Sequence, residues 1–178
     1  MSTHASAAVR GIEQTRWRID PARSTLVFQV PHFWGLTTVE GRFERYEGTL
    51  DLSAQRGVEL RIDAASLDTK RTARDKHLRS ADFFDVEKHP QVRFESDYAE
   101  LDGERLRVHG RLHAAGQKIP LDVAATLRRV AGELEVAATT CADQRRLGMT
   151  WSPLGMTRAP SKLIIRGRLI PDDGTSRA

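Results

Sequence analysis

Histidine and aspartate are the residue types whose spacing in this 178-residue chain could support chemistry. His109 and His113 have the spacing of two metal ligands on one helical face. Their segment alternates as a strand, however, and four strand residues span about 13 Å, which is too far for one ion. Asp82 and Asp85 flank two aromatic rings and resemble an acid–base pair, although aspartate at such a break is a common turn or helix cap. The sequence therefore predicts no metal, no cofactor and no catalytic residue.

Other catalytic signatures are absent from the sequence. No Gly-x-Ser-x-Gly, phosphate-binding loop or dinucleotide-binding glycine pattern occurs. Cys141 is the single cysteine, so neither an intrachain disulfide nor a Cys-x-x-Cys motif can form. A small core or loop cysteine is the simpler interpretation of this residue.

Charge and hydropathy indicate a globular protein without a nucleic-acid partner. The chain has 28 Lys and Arg against 24 Asp and Glu, a net charge of +4, with both signs interspersed. Nucleic-acid binding needs a clustered basic patch, which this distribution does not predict. No run approaches the ~18 apolar residues of a membrane span, and residues 1–16 lack the apolar core of a signal peptide. We therefore expect a cytoplasmic protein without stable membrane insertion.

Alternating apolar and polar residues dominate the chain from Trp17 onward. In about eight segments every second side chain lies on an apolar face. This pattern is typical of an antiparallel sheet with one buried and one solvent-exposed face. Eight such strands close most economically into an up-and-down barrel, and a two-sheet sandwich is the alternative. The predicted organisation is a flexible segment 1–15, one barrel domain at 16–171 and a flexible tail at 172–178.

One stretch, 65–96, breaks this period. Its polar residues near 70–81 favour a short helix, two phenylalanines follow, and His89-Pro90 ends the interruption. We expect this insertion to close one end of the barrel. Its basic residues and His77 could then meet an anionic headgroup, although a solvated helix face is the simpler interpretation; they are Arg71, Arg74, Lys76 and Arg79.

The predicted inner face mixes bulky side chains with glycine and alanine, notably Gly41, Gly48, Gly110 and Gly167. These small residues either mark bends of the barrel or leave a lumen that can hold one small ligand. An apolar guest would gain roughly 25 cal/mol for each Å² removed from water. The predicted polar groups of the lumen are His32, Ser96, Tyr98 and Thr140. The predicted ligand-binding residues are Phe28, Val30, His32, Phe43, Leu60, Ile62, Phe83, Phe84, Phe94, Val108, Leu121, Val123, Val136 and Ile165.

Several blocks of this sequence resemble the YceI-like family. The most specific is Arg74-Asp75-x-His77-Leu78-Arg79-Ser80-x-Asp82-Phe83-Phe84-Asp85, and further matching blocks are 17–32, 39–43, 65–69, 90–96, 107–112 and 143–149. The resemblance implies an all-β, eight-stranded antiparallel lipocalin-like barrel, often a homodimer, whose lumen takes a polyisoprenoid or similar amphiphilic lipid. It implies no catalysis, and for the specific block it suggests a structural role.

Three functions follow as hypotheses. The first is non-enzymatic binding, carriage or sequestration of an isoprenoid-type lipid. The second is a hydrolase or isomerase acting on such a lipid through His32, His77, Asp82 or Asp85. The third is a structural or interaction module whose barrel is filled with side chains.

Overall fold

The computed structural model describes residues 16–32, 36–149 and 159–172. Within them the chain forms one helix, α1, at Thr72–Arg79 and short 3-10 turns at Pro21–Arg23, Ala64–Ser66 and Gln144–Leu147. The strands, numbered β1 to β11, are Trp17–Ile19, Thr25–His32, Thr37–Phe43, Tyr46–Leu50, Val58–Asp63, Leu67–Asp68, Gln91–Asp102, Arg105–Ala114, Gln117–Val130, Glu133–Ala142 and Ser161–Pro171.

These strands close into an eight-stranded antiparallel barrel, as the sequence predicted. β1 and β2 both pair with β11 and act as one interrupted strand, and β3 and β4 form a second. The remaining ring runs from β4 through β5, β7, β8, β9 and β10 to β11. β6 adds a two-residue ladder to β3. Closure leaves the ring without a bare edge, and the sandwich alternative is wrong.

The barrel has two different ends. At the mouth end, β2, β8 and β10 finish and β6 leads into the insertion that contains α1. At the closed end, β4, β7, β9 and β11 finish, and Trp17, Leu127 and Leu134 are fully buried there. The Arg129 guanidinium lies 5.5 Å from the Trp17 ring centre and covers it from outside. Buried hydrophobic side chains therefore close this end of the barrel.

The insertion is anchored to the barrel by polar contacts from α1. Asp75 is buried, and its Oδ1 accepts hydrogen bonds from the backbone N–H and the hydroxyl of Thr69, at 2.9 and 2.6 Å. Arg79 donates from Nε and Nη2 to the carbonyls of Ala65 and Leu67, at 2.9 and 2.6 Å. Buried donors and acceptors need such partners. Arg79 is thus a structural residue and is not free to meet a headgroup.

The helix is shorter than the predicted 70–81. After its last turn, hydrogen bonds of a non-helical pattern satisfy its terminal backbone carbonyls. The N–H groups of Phe84 and Val86 donate to the carbonyls of Leu78 and Arg79, at 3.1 Å each. Asp85 then adopts a left-handed φ of 47°. Such a φ is uncommon for residues other than glycine and marks a tight reversal of the chain. This reversal holds the two phenylalanines against the barrel end.

A bulge in β7 overturns one inner-face prediction. The pairing of β7 with β8 shifts register between Ser96 and Tyr98, so a residue is inserted and the alternation reverses. Tyr98 consequently lies on the outer face, 46% exposed, with its ring stacked on His109 at 4.4 Å. Its predicted place among the polar groups of the lumen is wrong.

The glycines on the inner face have different roles. At Gly41 the Phe28 ring occupies the space that a Cβ would need, and at Gly110 the Phe94 ring does the same. At Gly167 the close neighbour is Ser24, from the interruption between β1 and β2. Only Gly48 of the four borders the internal cavity described below. Three of these glycines therefore admit close neighbours instead of leaving a lumen.

Candidate ligand-binding cavity

An apolar cavity of about 190 Å³ lies inside the barrel. Its lining reaches the closed end at Leu127, and its roof includes Phe84 from the insertion with Leu147 and Met149, which follow β10. The walls come from alternate residues of the strands, because successive side chains of a strand point to opposite faces of the sheet. The cavity thus depends on the whole barrel and on the insertion that covers it.

Ten of the predicted ligand-binding residues line this cavity. Nine come from strands and one, Phe84, comes from the insertion. The ten are Phe43, Leu60, Ile62, Phe84, Phe94, Val108, Leu121, Val123, Val136 and Ile165. The Phe84 ring packs edge-on against the Phe43 ring at 5.8 Å, which connects the roof to the wall. Their contact with a ligand remains a prediction.

The other predicted residues are not brought to the cavity. Phe28 is buried, but its ring fills the space over Gly41 and contacts Phe43 at 5.3 Å. Phe83 turns away to make an edge-on contact with His77 at 5.2 Å. Val30 is half-buried and does not line the cavity. The side chain of His32 lies outside the described residues, as do the apolar turn predicted at 33–35 and most of both terminal segments.

The sequence prediction missed more than half of the lining. Most of the missed apolar residues lie on the same alternating faces, so their pattern carried the signal; they are Ile19, Leu26, Leu50, Val58, Val92, Leu106, Leu112, Ala114, Ala125, Leu127, Ala138, Ala142, Leu163 and Leu169. Leu147 and Met149 lie outside regular strands, and no period identifies them. Both belong to the 143–149 block that resembles the family.

Three polar residues at the lining, Thr140, Gln144 and Ser161, are already hydrogen-bonded to protein. Thr140 donates to the carbonyl of Asp122 at 2.6 Å. The buried amide of Gln144 accepts from the N–H and hydroxyl of Ser161 and donates to the carbonyl of Ala159 at 2.9 Å. Such groups have little remaining capacity for a polar guest. The wall therefore favours an apolar ligand.

Ion pairs at the mouth end use most of its acidic groups. The Lys70 ammonium bonds to Asp68 and holds the pKa of that carboxyl below its ordinary value. Arg145 does the same for the pKa of Asp143, through hydrogen bonds from its side chain and backbone. Both carboxylates remain ionised at neutral pH. These carboxylates neutralise their own partners, and other cations of this end make no ion pair with a described residue.

The residues proposed for chemistry lie apart from one another. His109 and His113 lie half-buried on the outer face of β8, His109 with Nδ1 2.8 Å from Asp122 and His113 with Nε2 3.5 Å from Glu95. Burial lowers the pKa of His113 below its ordinary value. In the described ranges, no three His, Cys, Asp or Glu side chains converge as metal ligands would.

The predicted acid–base pair has other partners. Asp82 pairs with His77 at 3.1 Å, and Asp85 pairs with Lys88 at 3.4 Å. Neither aspartate lines the cavity, and His77 does not line it either.

No helix in the part of the chain that the structure describes has the length and apolar composition to cross a bilayer.

Fold and cavity together define a lipocalin-like barrel, a small antiparallel barrel whose interior can hold one small ligand. The model of the YceI-like domain matches residues 17–168 of this chain, which is most of its length. The chain belongs to the YceI-like family.

Relatives of this chain include the protein YceI of Escherichia coli O6:H1, 36% identical, and the UPF0312 protein plu2095 of Photorhabdus laumondii, 35% identical. Each match covers 104 residues, 56% of this chain and 54% of the relative. The match thus spans about half the length of these relatives.

Solved structures share the fold at low sequence identity. Burkholderia cenocepacia BcnA superimposes with a TM-score of 0.74 and 18% identity, over 85% of this chain and 98% of that one. A polyisoprenoid binding domain from Saccharophagus degradans gives 0.68 and 12%, over 89% and 99%. The Campylobacter jejuni YCEI protein gives 0.65 and 21%, over 75% and 85%. At these identities the likeness establishes the fold.

Proposed function

We propose that this protein binds an apolar, isoprenoid-type lipid inside the barrel and carries or sequesters it without chemical change. The observation that carries this proposal is the apolar cavity, in whose lining the polar side chains of Thr140, Gln144 and Ser161 already have protein partners. Removing apolar surface from water is favourable, whereas a polar guest would lose its hydration without compensation. The polyisoprenoid binding domain among the structural neighbours agrees with this ligand class.

The cavity volume suggests how a chain would fit. A dry apolar cavity of roughly 150 Å³ can bind benzene, and about 190 Å³ is only moderately larger. The cavity as it stands therefore suits the end of an isoprenoid chain. A longer portion requires roof side chains such as Phe84 to move, or it extends beyond the roof.

The enzymatic alternative finds little support in the geometry. Its described candidates, His77, Asp82 and Asp85, lie in the insertion outside the lining. Glu59 is the one carboxylate residue in the lining, and its side chain pairs with Arg61 at 2.7 Å and Arg93 at 3.2 Å. No positioned acid or base thus faces the apolar space among the described residues. A prenyl substrate recovered unchanged after long incubation is the expected result.

The lipid proposal is tested by extracting the purified protein with organic solvent and analysing the extract by mass spectrometry. Titration with prenyl alcohols of increasing length then measures affinity. We expect a co-purified apolar lipid or saturable binding at one site per barrel. Absence of both would contradict the proposal and favour the filled-barrel module.

Two alanine variants provide a matched control for that titration. Ala138→Phe places a ring in the cavity, whereas Ala137→Phe places the same ring on the exposed outer face of the same strand. We expect Ala138→Phe to weaken binding at least about tenfold, since it fills a large share of the cavity. Equal affinity of the two variants would place the ligand elsewhere.

A homodimer and a cytoplasmic location are further proposals. Resemblance to the family supports the dimer. Light scattering coupled to size-exclusion chromatography measures the mass of the assembly, and fractionation of cells measures the location. A monomer at all concentrations, or recovery outside the cytoplasm, would contradict them.

A further inference from the structure

The mouth end carries an excess of unpaired positive charge. The segments 69–90 and 143–149 contain eight Lys and Arg against five Asp and Glu. Four of these five acids are engaged: Asp75 is buried against Thr69, and the other three pair with His77, Lys88 and Arg145. By contrast, six cations at this end make no ion pair with any residue that the structure describes; they are Arg71, Arg74, Lys76, Lys118, Arg146 and Lys162.

The strand connections at the closed end do not share this excess. The connections 51–57, 103–104 and 131–132 contain one basic residue, Arg56, against the acidic Asp51 and Glu104. The positive charge of the strand connections is therefore concentrated at the mouth end. Such asymmetry concentrates the electrostatic potential at one end of the molecule.

Helix α1 displays part of its positive charge outward. Asp75 is buried on its inner side and Leu78 packs against the hydrophobic core. Lys76 is exposed, as is Arg71 at the position before the helix, and Arg74 is half-buried. The helix thus turns one side to the barrel and a basic side to the surroundings.

An exposed apolar residue lies at the same end. Leu36 is 83% exposed and immediately precedes β3, whose first residues pair with the end of β2. One exposed leucine is ordinary on a protein surface. At the same end as a group of unpaired cations, however, it completes the combination that binds lipid interfaces, where basic side chains meet headgroups and an apolar side chain enters the acyl boundary.

We propose that the mouth end docks on the surface of a bilayer that contains anionic phospholipids. Arg71, Arg74 and Lys76 contact the headgroups, and Leu36 reaches the acyl boundary. The roof of the cavity then faces the membrane, which is where an isoprenoid-type lipid would be taken up or released. Docking itself goes beyond the proposed function, because it does not require a ligand in the cavity.

Vesicle co-sedimentation of the full chain tests this docking. The probes are vesicles of phosphatidylcholine alone and of phosphatidylcholine with phosphatidylglycerol. We expect binding to the anionic vesicles only, and we expect it to weaken as salt is raised, because exposed charges are screened. Absence of binding to anionic vesicles at low salt would overturn the proposal.

Two triple variants with the same loss of charge decide where the vesicle binds. Arg71→Gln/Arg74→Gln/Lys76→Gln alters the mouth end, and Arg56→Gln/Arg105→Gln/Arg107→Gln removes cations that pair with no described residue elsewhere on the surface. We expect a loss of at least about tenfold for the first triple and less than about twofold for the second. Equal losses of vesicle affinity in the two variants would show that the vesicle responds only to the net charge of the protein. That result would overturn the assignment of the docking surface to the mouth end.

Two further measurements separate docking from ligand binding. Leu36→Ser should weaken vesicle binding several-fold while circular dichroism stays unchanged, and an unchanged vesicle affinity would remove Leu36 from the interface. Titration with a prenyl alcohol without vesicles should give the same affinity for the first triple variant as for the unaltered protein. Vesicle binding by a protein that binds no prenyl alcohol would support docking while contradicting the proposed function.

Discussion

The closed end and the mouth end of this barrel are built from the same strands with the same alternation, yet buried side chains close one end and irregular segments cover the other. At the closed end, Trp17 and Leu134 are 1% and 0% exposed and do not border the cavity. Toward the mouth end, the lining includes Ala138 and Ala142, and the roof comes from irregular segments. The difference lies in side-chain volume and in what covers each end.

This contrast separates stability from binding. Dense packing at the closed end contributes many short contacts for each side chain, whereas a residue that borders a cavity lacks neighbours on one side. The closed end should therefore dominate the free energy of unfolding. The cavity wall should tolerate substitution and determine which ligand fits.

The largest expected effect compares one substitution at the two ends. Leu134→Ala should lower the free energy of unfolding by roughly 3–5 kcal/mol, because it opens a void in a filled core. Leu121→Ala alters a residue that is also buried but borders the cavity, and it should cost roughly 1–3 kcal/mol. Urea denaturation monitored by circular dichroism measures both.

The same pair should separate in ligand binding. Leu121→Ala enlarges the cavity and should favour longer prenyl alcohols, while Leu134→Ala should leave the preference for chain length unchanged. Equal losses of stability together with equal ligand preferences would remove the distinction between the two ends.

A smaller effect is expected where the insertion is anchored. Asp75→Ala leaves the N–H and hydroxyl of Thr69 without their acceptor and should cost roughly 1.5–3 kcal/mol. Glu87→Ala removes an exposed carboxylate of the same insertion and should be nearly neutral. Hydrogen exchange should show the Asp75 effect concentrated in α1 and the residues after it. A loss of protection spread evenly over the barrel would contradict a local anchor.

The smallest effect concerns a buried hydroxyl. The Tyr46 hydroxyl has no hydrogen-bond partner among the described residues, and burial raises the pKa of Tyr46 above the ordinary value of 10.0. As pH rises past 10, the unfolded chain loses this proton before the folded protein does, so the free energy of unfolding falls. Tyr46→Phe should be neutral or stabilising by up to about 1 kcal/mol at neutral pH and should reduce that alkaline loss.

The chain supplies a control for this prediction in its other tyrosine. Tyr98 is exposed, so Tyr98→Phe should leave the alkaline fall in stability unchanged. Denaturant midpoints for both variants at neutral pH and above pH 10 make the comparison. A larger change for Tyr98→Phe would contradict the buried assignment of Tyr46.

Alternation in the sequence was sufficient to predict the strands and most of the inner face. Leu60, Val108 and Val123 line the cavity because period two fixes the face on which a strand residue lies. Closure into a barrel instead of a sandwich depends on which strands pair. Local pattern does not carry that information, and the resemblance to the family supplied it.

The sequence expectations and the structure differ where neighbouring strands, not local pattern, decide the position of a side chain. Phe28 lies on the predicted face, but the space over Gly41 on β3 accepts its ring and keeps it out of the lining. Tyr98 follows the bulge in β7, and no turn residue in the sequence indicates that bulge. Arg79 donates to the carbonyls of Ala65 and Leu67. The helix comes within reach of these carbonyls only in the folded barrel.

Diffraction from crystals pressurised with xenon tests most directly whether the interior is a dry space that accepts an apolar guest. Apolar cavities near this size bind xenon. We predict xenon between Phe84, Phe94 and Val136, or apolar ligand density already in its place. Ordered waters hydrogen-bonded to the wall, or side chains that fill the space and exclude xenon, would contradict the account.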